Sequence, residues 1–123
     1  MKRTVLAFLV AFLSVFYVNA QEKKDKYLMD TPVFNKVIEK KKVQLVDVRT
    51  PEEYAAGTIQ YAENIDFLNE NFKENINKMN KKEPVYVFCK SGKRSANAKK
   101  VMQEMGFKKV YELKGGYTAW DKK

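Results

Sequence analysis

Cys89 is the residue best suited to chemistry, because it is the single cysteine of a chain that has no histidine. It follows the apolar strand-like run Val85–Phe88 and opens a short loop that leads into a predicted helix. The loop reads Cys89-Lys90-Ser91-Gly92-Lys93-Arg94-Ser95. A chain that curls from a strand end to a helix start turns backbone N–H groups inward, with the positive end of the helix dipole behind them. Such surroundings stabilise a thiolate over a thiol.

The residues of the loop also suit stabilisation of an anion. Gly92 permits the positive φ that a tight curl needs, and Lys90 adds charge nearby. Cations are disfavoured near a helix N-terminus, so Lys93 and Arg94 indicate an anion nearby. Ser91 suits either a sulfur contact or the turn itself, and Ser95 is predicted as the N-cap. The cradle fits a dianion such as thiosulfate, and equally a phosphate or arsenate.

The counts of two residue types exclude several classes of chemistry. Without histidine, the chain has no Cys-His or Ser-His-Asp catalysis and no histidine metal site. One cysteine allows no internal disulfide, no Cys-x-x-Cys redox pair and no thiolate zinc site. If Cys89 is reactive, its thiol must therefore be activated by the surrounding loop.

The pattern of the remaining chain predicts an α/β fold. Apolar runs predict strands at 43–48, 85–88 and 110–113, with a strand and its connection within 58–66. Helical spacing predicts helices at 31–40, 67–79 and 94–105, and Thr50 with Glu53 forms a capping box for a short helix that ends at Gly57. The alternation predicts a mostly parallel sheet with helices on both faces. Binding sites of such sheets form at the carboxyl ends of strands, where Cys89 lies.

The first twenty residues differ from the rest. Lys2 and Arg3 precede an apolar run that ends at Val18-Asn19-Ala20, which is typical of a signal peptide cleaved after Ala20. Residues 21–26 form a charged lead-in, and 27–123 a single domain. The sequence therefore predicts export, to the periplasm in a Gram-negative source and otherwise by secretion, without stable membrane insertion. The alternative is a retained membrane anchor, but spanning a bilayer takes about 20 apolar residues.

The basic balance of the chain does not indicate nucleic-acid binding. The formal net charge is +9, and lysines occur in short runs at the ends of predicted elements. No aromatic residues are interleaved with these runs to stack on bases, so they are interpreted as solvated turns. The positive field favours small anionic substrates.

Three spaced motifs resemble the rhodanese family over nearly all of the chain after the signal peptide. The loop at Cys89 is similar to the family's Cys-Arg-Ser-Gly-x-Arg-Ser. The family's upstream signature consists of Asp-x-Arg, then Glu followed by Phe or Tyr, then Gly-His-Ile. The chain resembles this signature at Asp47-Val48-Arg49, Glu53-Tyr54 and Gly57-Thr58-Ile59. Downstream, Leu113-Lys114-Gly115-Gly116 and Trp120 resemble its Leu-x-Gly-Gly-x-x-x-Trp. Thr58 and Tyr61 depart from the histidine and glycine that are usual in the family.

The resemblance implies a three-layer rhodanese-like fold and a sulfurtransferase. Cys89 would be the nucleophile, and Lys90 through Ser95 would bind the substrate. The donor would be a small sulfur anion such as thiosulfate and the acceptor a thiol or cyanide, with no metal or organic cofactor. Asp47 and Arg49 are interpreted as a structural ion pair that supports the site.

Two alternatives stay open. One is a phosphatase or arsenate reductase that uses the same cysteine. The related phosphatase branch has five residues between cysteine and arginine, whereas Cys89 and Arg94 are separated by four, and a narrower cradle favours sulfane sulfur. The other alternative is a sulfur-carrying or binding module without catalysis.

Overall fold

A computed structural model describes residues 25–40 and 42–122. The predicted signal peptide and the start of the lead-in lie outside these residues, so export stays a prediction. Within the described ranges, no helix has the length and apolar character needed to cross a membrane.

The strands are short and all pair in parallel. They are β1 (Leu28–Met29), β2 (Gln44–Asp47), β3 (Glu63–Asn64), β4 (Val85–Phe88) and β5 (Val110–Leu113), in the sheet order β1-β5-β4-β2-β3. The predicted strand within 58–66 is only the two residues of β3, and β1 was not predicted. Both are edge strands of two residues, too short to give a periodic signal in sequence.

The helices are α1 (Thr31–Lys40), α2 (Pro51–Ala56), α3 (Phe72–Ile76), α4 (Lys93–Glu104) and α5 (Gly116–Asp121). The capping box of α2 is present as predicted, with Thr50 as the N-cap and Gly57 as the C-cap residue. The N-cap of α4 is Gly92, so the assignment of Ser95 as its N-cap is wrong. Ser95 lies one residue beyond Arg94 inside the helix and is fully buried.

The predicted helix at 67–79 is also wrong over most of its length. Backbone N–H groups of Leu68 and Asn71 donate to the side chains of Asp66 and Asn69 at 2.9 and 2.8 Å. Such side-chain acceptors compete with helical hydrogen bonds. The chain therefore turns before Phe72, and Leu68 is 66% exposed.

Core residues lie on both faces of the sheet, as the α/β pattern predicts. Along β4, Val85 and Val87 pack in one cluster with Met102 of α4, while Tyr86 and Phe88 pack in a second cluster with Phe34 of α1. Alternate residues of a strand point to opposite faces. Burial on both faces explains why β4 has a continuous apolar sequence.

Candidate active site

Cys89 lies directly after β4, and its side chain is enclosed at the start of α4. The residue is 1% exposed, and its Sγ accepts a hydrogen bond from the Gly92 N–H at 3.1 Å. Gly92 has φ 115°, in the region that favours glycine. The backbone curl predicted from the sequence is therefore present, with one N–H aimed at the sulfur. The other N–H groups of a first helical turn have no partner within the helix.

The first turn of α5 holds the backbone of this loop. The Tyr117 N–H donates to the Cys89 carbonyl at 2.7 Å, and the Thr118 N–H donates to the Lys90 carbonyl at 3.0 Å. Gly116 lies so close that a Cβ there would be 2.5 Å from the Cys89 carbonyl oxygen. The downstream Gly-Gly motif therefore brings α5 against the loop and fixes its carbonyl groups.

Ser95 also contacts the sulfur. Its Oγ lies 3.4 Å from Cys89 Sγ, 3.1 Å from the Gly92 carbonyl oxygen and 3.0 Å from Glu112 Oε2. Glu112 belongs to β5 and is 4% exposed. Sequence reasoning missed Glu112, since its only signal is an acidic residue within an otherwise buried strand.

Arg94 pairs with Glu53 of α2. The two guanidinium nitrogens donate to the two carboxylate oxygens at 2.6 and 3.0 Å. The hydrogen bonds from Arg94 are the main reason that the pKa of Glu53 falls from 4.5 to about 2. In turn, the hydrogen bond to Glu53 raises the pKa of Arg94. Arg94 therefore keeps its charge beside the loop but has much of its hydrogen-bonding capacity engaged.

The remaining predicted loop residues do not converge on the sulfur. Lys90, Ser91 and Lys93 are exposed. They form the outer rim of the site, where the two lysines add positive charge. Of the predicted substrate-binding residues, Gly92 and Ser95 are those whose atoms approach Sγ directly.

Asp47 and Arg49 form the predicted ion pair at the end of β2. The Arg49 Nη2 lies 2.7 Å from Asp47 Oδ2 and also donates to the Gly57 carbonyl at 2.6 Å. The Thr58 hydroxyl donates to the same Asp47 oxygen at 2.9 Å. The guanidinium lies over the Tyr117 ring at 4.4 Å. The pair thus supports the α5 turn that holds the loop, and Thr58 serves as a hydrogen-bond donor in place of the usual histidine.

Other parts of the described chain contain open clefts but no cluster of metal ligands. Over residues 25–40 and 42–122, no group of three or more cysteine or acidic side chains is arranged to hold a metal ion. One open cleft of about 850 Å³ is lined by Lys42, Tyr61 and Met79 among others, and none of the Cys89 loop residues belongs to it. The loop at the end of β4 is therefore the candidate active site.

Comparison with known proteins finds a matching family and several similar proteins. A family model described as "Rhodanese-like domain" matches residues 30–123. The chain is 39% identical over 82 residues to thiosulfate sulfurtransferase GlpE of Shewanella oneidensis, covering 67% of this chain and 79% of the relative. It is 36% identical over 100 residues to tRNA uridine(34) hydroxylase of Pelagibacter ubique, covering 80% of this chain but only 33% of that protein.

A solved structure agrees with the fold. The rhodanese-like domain protein of Staphylococcus aureus superposes with a TM-score of 0.66 at 37% identity, covering 76% of this chain and 89% of that one. The parallel sheet, the cysteine loop and the family match lead to the same conclusion as the motifs. This chain belongs to the rhodanese family.

Proposed function

We propose that this protein moves sulfane sulfur from thiosulfate or a similar donor to a thiophilic acceptor through a persulfide on Cys89. The observation that carries the proposal is the position of Cys89 Sγ, which accepts the Gly92 N–H at 3.1 Å where β4 leads into α4. This environment favours negative charge on sulfur. Membership of a family that includes proteins named thiosulfate sulfurtransferase supports it.

The reaction needs two displacements on sulfur. The Cys89 thiolate attacks the outer sulfur of thiosulfate, the donor's S–S bond breaks, and sulfite leaves with the electron pair. The product is a persulfide anion, whose charge lies on the outer sulfur. An acceptor such as cyanide then attacks that outer sulfur, which releases thiocyanate and regenerates the thiolate. Neither step needs a general base if the thiolate is present beforehand, which fits a chain without histidine.

The loop supplies what these steps require. The N–H groups at the start of α4 and the dipole of this helix favour an anion at the sulfur. Lys90 and Lys93 at the exposed rim attract anionic donors. We assign Cys89 as the catalytic residue, Gly92 and Ser95 as groups that hold its sulfur, and Lys90, Ser91, Lys93 and Arg94 as the surroundings of the donor.

The engagement of Arg94 weighs against phosphate chemistry. A phosphatase needs a guanidinium that can grip the oxygens of a phosphate, ideally by a bidentate pair. Here both terminal nitrogens of Arg94 donate to Glu53. Together with the short spacing from Cys89, this arrangement favours transfer of a single sulfur atom over binding of a tetrahedral oxyanion.

Intact-protein mass spectrometry tests the proposal. After incubation with thiosulfate, the protein is expected to gain the mass of one sulfur atom. Added cyanide should return the original mass and yield one thiocyanate per protein. Cys89→Ser keeps the size of the side chain but removes the nucleophile, so it should abolish both changes.

The same preparation separates the alternatives. Turnover of p-nitrophenyl phosphate that disappears in Cys89→Ser, without gain of sulfur, would instead indicate a phosphatase. An unchanged mass with polysulfide as well as thiosulfate, and no phosphatase activity, would indicate a binding module. Either result contradicts sulfur transfer through Cys89.

A further inference from the structure

We infer that Glu112 is a positioning residue of the cysteine site, because its carboxylate holds the Ser95 hydroxyl and thereby sets how that hydroxyl faces Cys89 Sγ. The inference deepens the proposed function, on which its role in catalysis rests. Three atoms carry it: Sγ, Ser95 Oγ at 3.4 Å from it, and Glu112 Oε2 at 3.0 Å from that hydroxyl.

The hydrogen bonds between Cys89, Ser95 and Glu112 have a preferred direction of donation. A serine hydroxyl has one proton, and the Ser95 oxygen has three neighbours that could accept it: the sulfur, the Gly92 carbonyl and the Glu112 carboxylate. A carboxylate forms the strongest of these bonds because it is charged. Ser95 therefore donates to Glu112 and presents its lone pairs to the sulfur.

This direction has a consequence for the sulfur. Lone pairs facing Sγ accept a hydrogen bond from a thiol but repel a thiolate, so stabilisation of the anion is left to the Gly92 N–H and the start of α4. A persulfide carries its charge on the outer sulfur, one bond further from Ser95 and Glu112. Glu112 thus disfavours the empty thiolate more than the loaded persulfide. It also keeps the thiolate a strong nucleophile, because nucleophilicity rises with basicity.

The buried carboxylate of Glu112 needs a partner for each of its two oxygens. A carboxylate that is 4% exposed in a central strand is costly unless it is paired. Lys99 of α4 lies 3.3 Å from Oε1 and satisfies one oxygen, while Ser95 satisfies the other. The contact with Ser95 gives the carboxylate a purpose at the site.

Several other charges face this network. Lys99 also pairs with Asp25, which precedes β1, at 3.0 Å. Arg94 is paired with Glu53 of α2, and the fields of Cys89 and Asp66 add smaller contributions that raise its pKa. The rim lysines are those of the loop and the first turn of α4, Lys90 and Lys93. Carboxyl groups ordinarily titrate well below neutral pH and lysines well above it. Cys89 is the single cysteine of the chain, so alkylation of a thiolate reports on this residue alone.

The test is the rate of Cys89 alkylation by iodoacetamide as a function of pH, measured on the full domain. Glu112→Gln keeps the shape of the side chain but removes its charge. The glutamine amide can donate to Ser95 Oγ, so the Ser95 hydroxyl proton is free to donate to Cys89 Sγ. The midpoint of the profile is expected to move about one unit to lower pH. The limiting rate of the fully ionised thiolate should fall about threefold. Glu104→Gln, an exposed change on α4, is the matched control and should leave the profile unchanged.

A second pair of variants tests whether Ser95 transmits the effect. In a Ser95→Ala background, Glu112→Gln should move the midpoint by less than half as much. Glu112→Asp retains the charge but withdraws the carboxylate from Ser95, and it should also move the midpoint to lower pH. It serves in place of Glu112→Gln if thermal unfolding shows that the latter does not fold.

Two results would overturn the inference: an unmoved midpoint in a folded Glu112 variant, or an equal shift with and without Ser95. Because alkylation needs no sulfur donor, either result is independent of whether Cys89 takes up sulfur from thiosulfate. Failure of the proposed function would appear only in the mass measurement.

Discussion

At the scale of single residues, Gly116 shows how closely the site is built. It has φ 61°, and a Cβ at this position would lie 2.5 Å from the Cys89 carbonyl oxygen and 2.6 Å from the Lys90 carbonyl carbon. These are backbone atoms of the loop, which cannot swing aside as a flexible side chain can. A methyl group would have to displace the segment that carries Cys89.

Gly116→Ala is therefore expected to destabilise the fold by about 2 to 3 kcal/mol and to lower the yield of persulfide in the protein that remains folded. Urea unfolding measures the first effect and mass spectrometry after thiosulfate the second. Gly106→Ala is the control, because Gly106 also has positive φ, 104°, but the nearest atom to its Cβ is the flexible Lys81 side chain at 3.9 Å. Equal losses in both variants would contradict a clash at the loop.

The residues of the site differ in how far the sequence predicts them. Cys89 and Gly92 lie three positions apart, so the strand, loop and helix pattern is enough to bring the N–H to the sulfur. The partners of Ser95 and Arg94 lie 17 and 41 positions away, Glu112 and Glu53 respectively. Nothing in local spacing reports such contacts, because they depend on which strands are neighbours in the sheet.

At the scale of elements, α2 depends on its first turn. It has six residues and no buried side chain, and a helix this short is marginal without other support. Thr50 Oγ1 accepts the Glu53 N–H at 3.3 Å, and Glu53 Oε1 accepts the Thr50 N–H at 3.2 Å. The same carboxylate then reaches Arg94, so the cap and the site share one residue.

Thr50→Ala is expected to lower the free energy of unfolding by about 1 kcal/mol, since it removes one half of the capping box. Thr118→Ala, an exposed change in α5, should alter it by less than about 0.5 kcal/mol. Chemical denaturation of the two variants beside the parent protein measures the difference. A loss no larger for Thr50 than for Thr118 would show that the cap does not stabilise α2.

The larger differences between the predicted and the observed secondary structure occur at the boundaries of elements. The capping box was predictable because it is a local exchange between Thr50 and Glu53. The segment from 67 to 71 has helical apolar spacing, yet Asp66 and Asn69 turn the chain with their own side chains. Tyr61 has φ 71° and is 88% exposed, which accounts for the glycine that is usual in the family at this position. A tyrosine there is tolerated because its ring meets no core.

At the scale of the whole molecule, the pair of Glu53 and Arg94 joins α2 to α4 across the carboxyl ends of β2 and β4. The parallel order of the sheet makes this possible, because β2 and β4 are hydrogen-bonded neighbours and each leads into one of the two helices. The pair is partly exposed, with side chains 24% and 27% accessible. Solvent therefore screens it, and we expect a contribution of about 1 kcal/mol.

The pH dependence of stability follows from the same pair. The pKa of Glu53 is lowered from 4.5 to about 2, mainly by its hydrogen bonds from Arg94. A carboxyl whose pKa is lower in the folded state contributes stability above its unfolded value, and this contribution is lost as pH falls through the folded value. Glu53→Gln should therefore lower the free energy of unfolding by about 1 kcal/mol at pH 6, with a difference from the parent that shrinks between pH 4.5 and 2.

Urea unfolding at several pH values measures this difference, with Glu52→Gln as the control. Glu52 is the exposed neighbour in the first turn of α2, so its loss should change stability by less than about 0.5 kcal/mol at any of these pH values. A Glu53→Gln deficit that persists undiminished at the acid end would mean that ionisation of the pair does not stabilise the fold. The contact between α2 and α4 would then rest on packing and the capping box alone.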